Sequence, residues 1–207
     1  MVSSVGSLKR FIYLISPNKI YLNFYKDLEK VLSSKKVNFF QLRLKKTPKN
    51  LIIKIAKKIK KITRKYKVKL IINDDSKLAK EVNADGCHIG QFDNTVDLAR
   101  KNIKNKIIGV TCHNSKELAL AASKNNADYL AFGSFFKSRL KPNAKKTDLK
   151  ILTWAKKNIK KPIVVIGGIT DKNYKKLIKA GANYIAISTF IWNNPFLKPE
   201  DVIKKFK

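Results

Sequence analysis

The 207-residue sequence predicts an α/β protein closed into a single-domain (β/α)8 TIM barrel, and three observations lead there. Eight apolar runs of strand length recur along the chain, alternating with segments whose apolar residues return every three or four positions. Nearly every cluster of chemically capable residues follows directly on one of those runs, so the chemistry gathers at the C-terminal ends of many strands. No linker, low-complexity block or change of rhythm divides the chain, so residues 1–207 read as one domain. Strand alternating with helix eight times implies a closed parallel barrel. An open doubly wound sheet is the alternative, because periodicity does not itself show closure.

The elements follow in order. "FIYLI", after Lys9 and Arg10, is shorter than the h-region of a signal peptide and no small-residue cleavage site follows. It reads as strand one, at about 10–15, and the protein is expected to stay in the cytoplasm. The remaining strands are expected at about 37–44, 68–73, 85–89, 106–111, 128–134, 162–167 and 183–188, each an apolar run rich in β-type residues. Helices are expected at about 21–34, 50–66, 76–83, 94–102, 115–125, 147–159 and 172–180, with a terminal helix near 199–206. Pro48 and Pro162 punctuate element starts, Asp75, Ser115 and Asp171 are candidate N-caps, and Gly181 follows a helix end.

Composition bounds the function classes. With 44% hydrophobic residues there is material for a core, and no apolar stretch approaches the roughly 18 residues of a membrane span. The net charge of +32 invites a polyanion-binding reading, but only five of the 46 basic residues are arginine. Lysine pairs such as Lys57-Lys58, Lys60-Lys61, Lys156-Lys157 and Lys175-Lys176 fall within helical patterns and read as solvated faces. Nucleic-acid binding would call for a basic stripe with stacking aromatics or a recognisable module, and neither is apparent. Cys87 and Cys112 give no disulfide framework. The two Cys-His dipeptides, Cys87-His88 and Cys112-His113, suggest zinc, but adjacent strand residues face opposite ways and the spacing fits no standard finger.

Chemistry concentrates in a few residues. Asp74, Asp75 and Asp93 follow strands three and four in a chain with only 14 acidic residues. Carboxylates converging from adjacent strands make a hard oxygen site suited to Mg²⁺. Asp75 is assigned instead to capping the helix that begins at Ser76. Gln41, Arg43 and Lys45 alternate along strand two and so share one face. An inward series of that kind is costly unless an anionic ligand, or an internal salt bridge to Asp74 or another carboxylate, offsets it. Gly167-Gly168 and Ser188 end strands seven and eight, whose loops frequently form the phosphate site of such barrels.

In this order and spacing, "QLRLK", "LIINDD", "ADGCHIGQFD", "GVTCHNSKELALAA", "ADYLAFGSFFKSRLKP" and "VVIGGI" resemble the thiamine phosphate synthase family over about residues 10–190. That family shares its fold with thiazole tautomerases. The resemblance implies a Mg²⁺-dependent transferase joining hydroxymethylpyrimidine pyrophosphate to thiazole phosphate, with release of pyrophosphate. It places Gln41, Arg43 and Lys45 at the pyrimidine and its pyrophosphate, Asn73 beside them, and Asp74 and Asp93 on magnesium. Thr111, where the family usually has Ser, falls on the pyrimidine side; Ser138 and Lys141 fall in a phosphate-contacting loop; Gly167, Gly168, Ile187 and Ser188 match the thiazole phosphate cradle. Arg43, Lys45, Asn73 and Lys141 are the implied catalytic set.

Two departures stand out. Leu44 replaces a frequent Glu but should face the helix layer, while in "FKSRLK" Lys137 replaces Pro and Leu140 replaces a second Thr, removing one hydroxyl donor to a phosphate. Two other readings remain open at this stage: a thiazole tautomerase using His113 as acid/base, and a polyanion-binding protein on a degenerate barrel. The expected partners are small phosphorylated substrates rather than a membrane or nucleic acid, and self-association is left open.

Overall fold

The structure, a computed structural model, describes residues 10–91, 95–137 and 147–207. Eight parallel strands form a closed barrel in sequence order: β1 (Ile12–Ile15), β2 (Val37–Leu42), β3 (Lys69–Asn73), β4 (Gly86–Ile89), β5 (Ile107–His113), β6 (Tyr129–Gly133), β7 (Ile163–Ile166) and β8 (Tyr184–Ile187). β8 pairs back onto β1 through Ile12 opposite Ile185, and the open-sheet alternative is thereby excluded. Around the barrel lie α1 (Phe24–Ser33), α2 (Lys49–Lys65), α3 (Ser76–Glu81), α4 (Val96–Ile103), α5 (Lys116–Lys124), α6 (Lys150–Asn158), α7 (Tyr174–Ala180), α8 (Thr189–Trp192) and α9 (Pro199–Lys204).

The period of two along each strand sorts side chains into two cores. Outward residues such as Leu14, Phe40, Leu42, Ile72 and Val165 join the helices in one large apolar layer. Each buried aliphatic or aromatic side chain there contributes about 1.5–3 kcal/mol relative to exposure. Inward residues Tyr13, Ile15, Phe39, Ile71, Tyr129, Ala131, Val164 and Ala186 fill the barrel itself. In α2, Ile55, Ala56, Ile59 and Thr63 are buried while Lys57, Lys58 and Lys61 are exposed, as the lysine pattern predicts; Lys60 departs from it, half-buried and donating to the carbonyls of Val82 and Asn83 at 3.3 and 2.5 Å. Lys156, Lys157, Lys175 and Lys176 are likewise exposed.

The end of the barrel where the strands begin is held by short polar staples. Asp85 accepts from Leu70 N at 2.8 Å, Asp128 from Ile108 N at 2.8 Å, and Asn183 from Ile163 N at 2.8 Å. Arg100 adds a 2.8 Å ion pair to Asp128, and Arg10 donates to the carbonyls of Tyr66 and Lys67 at 3.1 and 2.8 Å, closing the end of α2. These arginines and carboxylates work in structure, at the face opposite the strand ends that carry chemistry.

Ser115 and Asp75 act as the expected N-caps, accepting from Leu118 N at 3.1 Å and Leu78 N at 2.8 Å. Gly181, at φ 120°, ends α7. Asp171 is not the cap of α7: the helix starts later, at Tyr174, with Asn173 before it. Asn173 turns its side chain back instead, accepting from Thr170 N and donating to Gly168 O, both at 2.9 Å. Sequence pattern also assigns nothing to the four residues of α8, whose Trp192 buries itself against Phe24 and donates to Ile15 O at 2.6 Å.

Candidate active site

Because all eight strands run the same way, their C-terminal ends share one rim. Ser16 follows β1, Arg43 follows β2, Asp74 follows β3, Gly90 and Gln91 follow β4, Thr111 to His113 complete β5, Ser134 follows β6, Gly167-Gly168 follow β7 and Ser188 follows β8. The chemistry of the sequence is thus collected on one face, where βα loops build the sites of this architecture. Asp93, Ser138 and Lys141 lie outside the described residues.

Ser16, which no sequence pattern singles out, is the buried hub of one side of that rim. Its Oγ donates to Arg43 O at 3.2 Å and accepts from Arg43 N at 3.0 Å. Its carbonyl accepts from Ser188 Oγ at 3.0 Å. The ends of β1, β2 and β8 are therefore tied together, and the backbone of Arg43 is fixed on both sides. Among the described residues Arg43 makes no ion pair, so the expected alternative of an internal salt bridge to Asp74 is not realised. Arg43 is half-buried and Lys45 exposed, while Leu44 packs into the helix-side core as its alternation requires.

At the end of β3, Asn73 and Asp74 are half-buried. Asp74 adopts φ 65° and donates its N–H to His88 O at 2.7 Å, which draws the end of β3 against β4. Asp75 is committed to its cap, leaving Asp74 as the carboxylate of this turn at the rim. Among the described residues there is no group of three His, Cys, Asp or Glu side chains able to hold a metal. Cys87 and Cys112 both face the helix-side core, where burial pushes each thiol up to about 12. That removes them as thiolate ligands at neutral pH.

The β7 loop is shaped by glycine for two separate reasons. Gly167 has φ 110° and Gly168 φ 57°, a region costly for other residues. A Cβ on Gly167 would sit 1.9 Å from Ser134 Oγ, and one on Gly168 2.4 Å from Lys137 O. Phe135 N and Phe136 N donate to Ile166 O and Gly167 O, each at 3.1 Å, so the β6 and β7 loops pack backbone to backbone. Ile187 turns its side chain into the helix-side core, so only its backbone can address a ligand at the rim. His113 is exposed, at φ 51°, after an irregularity in the β5–β6 pairing.

The barrel interior beneath the rim is unexpectedly polar. Gln41 Nε2 donates to Tyr13 Oη at 3.1 Å, Tyr13 Oη lies 2.7 Å from Tyr129 Oη, and Tyr129 Oη lies 2.9 Å from His88 Nδ1. His88 Nε2 in turn lies 2.8 Å from Thr111 Oγ1. Burial pushes the hydroxyl pKa values of Tyr13 and Tyr129 far above the ordinary tyrosine range, so both remain protonated. Tyr129 reaches this position because Gly109 leaves it room: a Cβ there would fall 1.8 Å from Tyr129 Cζ. Of these five residues, sequence reasoning had assigned a site role only to Gln41 and Thr111. The signal for Tyr13, Tyr129 and His88 is a polar side chain at an inward strand position, visible only once the register is known.

Comparison with known proteins shows the family. The family model described as thiamine monophosphate synthase matches residues 12–191. A thiamine-phosphate synthase of Pelagibacter ubique is 58% identical over 201 residues, covering 96% of this chain and 97% of that one. A thiamine-phosphate synthase of Erythrobacter litoralis is 38% identical, covering 88% of each chain. The solved thiamine phosphate pyrophosphorylase of Pyrococcus furiosus superimposes with a TM-score of 0.85 at 27% identity, covering 96% of this chain and 94% of that one. With the match running from β1 into α8, the chain belongs to the thiamine monophosphate synthase family.

Proposed function

We propose that this chain is a transferase that couples hydroxymethylpyrimidine pyrophosphate to thiazole phosphate, giving thiamine phosphate and pyrophosphate. The observation that carries the reading is spatial. Arg43, Asn73 and Asp74 leave β2 and β3 on one wall of the mouth, and the Gly167-Gly168 turn leaves β7, four strands from β3 and three from β2 in a ring of eight and so on the opposite wall. Two anionic substrates are thereby offered separate walls with their reacting ends between them. The 58% identity with a thiamine-phosphate synthase along nearly the whole chain supports the same assignment.

In the proposed reaction the bond between the pyrimidine methylene carbon and the pyrophosphate oxygen breaks, its electron pair leaving with pyrophosphate. The lone pair of the thiazole nitrogen then forms the new C–N bond. No proton moves in either step, so the site needs charge stabilisation rather than a strong base. Arg43, with its backbone clamped by Ser16, offers its planar fork to pyrophosphate oxygens, and Lys45, Asn73 and Lys141 add a charge or a donor. Thr111 and Gln41 hold the pyrimidine ring. Ser138, Gly167, Gly168, Ser188 and the backbone of Ile187 take the thiazole phosphate.

The Asp74 carboxylate at the β3 end is chemically suited to Mg²⁺. It offers oxygen donors, and Mg²⁺ keeps several waters, needing only one or two carboxylates plus substrate phosphates. Asp74 and Asp93 would hold the ion, which would neutralise charge developing on the departing pyrophosphate. Asp74→Asn is expected to lower coupling turnover by at least about a hundredfold with the thermal transition unchanged, and excess EDTA to abolish wild-type coupling. Full activity in EDTA or in Asp74→Asn would refute the metal assignment.

A further inference from the structure

The polar side chains crossing the barrel interior can be assigned a direction. Each hydroxyl has one proton to give, and a neutral imidazole donates from one nitrogen and accepts at the other. Gln41 Nε2 is a donor and points at Tyr13 Oη, 3.1 Å away. The proton of Tyr13 is therefore directed to its other partner, Tyr129 Oη, at 2.7 Å. With His88 neutral, Tyr129 in turn directs its proton to His88 Nδ1 at 2.9 Å, which then presents a lone pair. An imidazole accepting at Nδ1 carries its proton on Nε2, and that proton is donated to Thr111 Oγ1 at 2.8 Å. The hydroxyl proton of Thr111 is then directed away from His88, and at the far end Oε1 of Gln41 remains as the acceptor. The path is rigid: the rings of His88 and Tyr129 stack with centroids 5.6 Å apart, and Tyr129 is wedged against Tyr13 and Phe39 at 5.7 and 5.8 Å.

We propose that Tyr13, Tyr129 and His88 form a one-way relay of hydrogen bonds, acting as positioning residues that fix Thr111 as a donor and Gln41 as an acceptor at the barrel mouth. A site with that polarity selects a heteroaromatic ring that turns a ring-nitrogen acceptor toward β5 and an amino donor toward β2. The choice of ring rests on the synthase reading, whereas the direction of the relay does not. A hydroxyl alone would adapt to donor or acceptor. The relay removes that freedom, which is how a buried polar site rejects an analogue with the opposite pattern.

The direct test is ¹⁵N NMR of the full-length protein labelled on histidine. His88 and His113 are the only two histidines, so the spectrum of His113→Gln assigns the signals. The expected result is a neutral His88 with a pyridine-like Nδ1 and a proton on Nε2; a proton on Nδ1 overturns the relay. In Tyr129→Phe, which removes the donor to Nδ1, both tautomers should appear. KM for the pyrimidine pyrophosphate should rise about tenfold while KM for thiazole phosphate stays within about twofold. A pure Nε2–H form in that variant, or an equal rise in both KM values, contradicts the proposal. Tyr13→Phe breaks the relay one step earlier and should mix the tautomers in the same way, which keeps the test available if Tyr129→Phe folds poorly. Absence of coupling by a wild type whose His88 is in the Nε2–H form would sink the choice of ring and leave the direction of the relay standing.

Discussion

Gly109→Ala is the sharpest test of how the interior is built. The added Cβ would lie 1.8 Å from Tyr129 Cζ, 2.2 Å from Cε2 and 2.3 Å from Oη, far inside contact distance. Gly109 does not occupy left-handed backbone, so the substitution introduces a clash without backbone strain. Tyr129 is only 2% exposed and is held by Tyr13, Phe39 and His88, so its ring has nowhere to swing. Overpacking of this kind costs about 1–3 kcal/mol. Displacing the hydroxyl also leaves buried partners short of a hydrogen bond, at about 1–3 kcal/mol more. The expected loss is therefore about 2–6 kcal/mol, against total stabilities of about 5–15 kcal/mol. With a urea m-value of about 2 kcal/mol/M, the unfolding midpoint should fall by about 1–3 M. In a Tyr129→Leu background, where the ring tip is absent, the same substitution should cost less than about 1 kcal/mol. A wild-type midpoint in Gly109→Ala, or an equal loss in both backgrounds, would show that Tyr129 is not wedged as described.

Arg43→Lys keeps the charge but loses the planar fork, and coupling efficiency should fall at least about tenfold; unchanged kinetics would return Arg43 to a surface role. His113→Gln should retain most of the coupling rate, since His113 is exposed at the rim and the reaction moves no proton; near-complete loss would assign it a part in the chemistry.

Fold and rim were legible because they depend on period and order. All eight strands fall near where the apolar runs put them, although β1 starts later than expected, β2 stops at Leu42 so that Arg43 and Lys45 lie beyond it rather than alternating along it, and β5 runs two residues further, to His113. The lysine faces, the caps at Asp75 and Ser115 and the outward Leu44 also follow from local pattern. What sequence could not supply is set by contacts between distant strands. Ser16 looks like an ordinary residue before Pro17 until β2 and β8 close around it, and Asn173 looks like one of several polar residues before α7 until Gly168 lies beside it. Asp171 is the cap that composition selects for this helix, and only the later helix start decides against it. The interior relay is the fullest case, since its five members come from five strands and meet only in the closed barrel.

The central claim is tested most directly by following both substrates with the purified full-length chain and Mg²⁺ by ³¹P NMR. The account predicts that pyrophosphate appears only when thiazole phosphate is present, in one-to-one amount with thiamine phosphate. Isomerisation of thiazole phosphate without any coupled product, or release of pyrophosphate independent of thiazole phosphate, would contradict it.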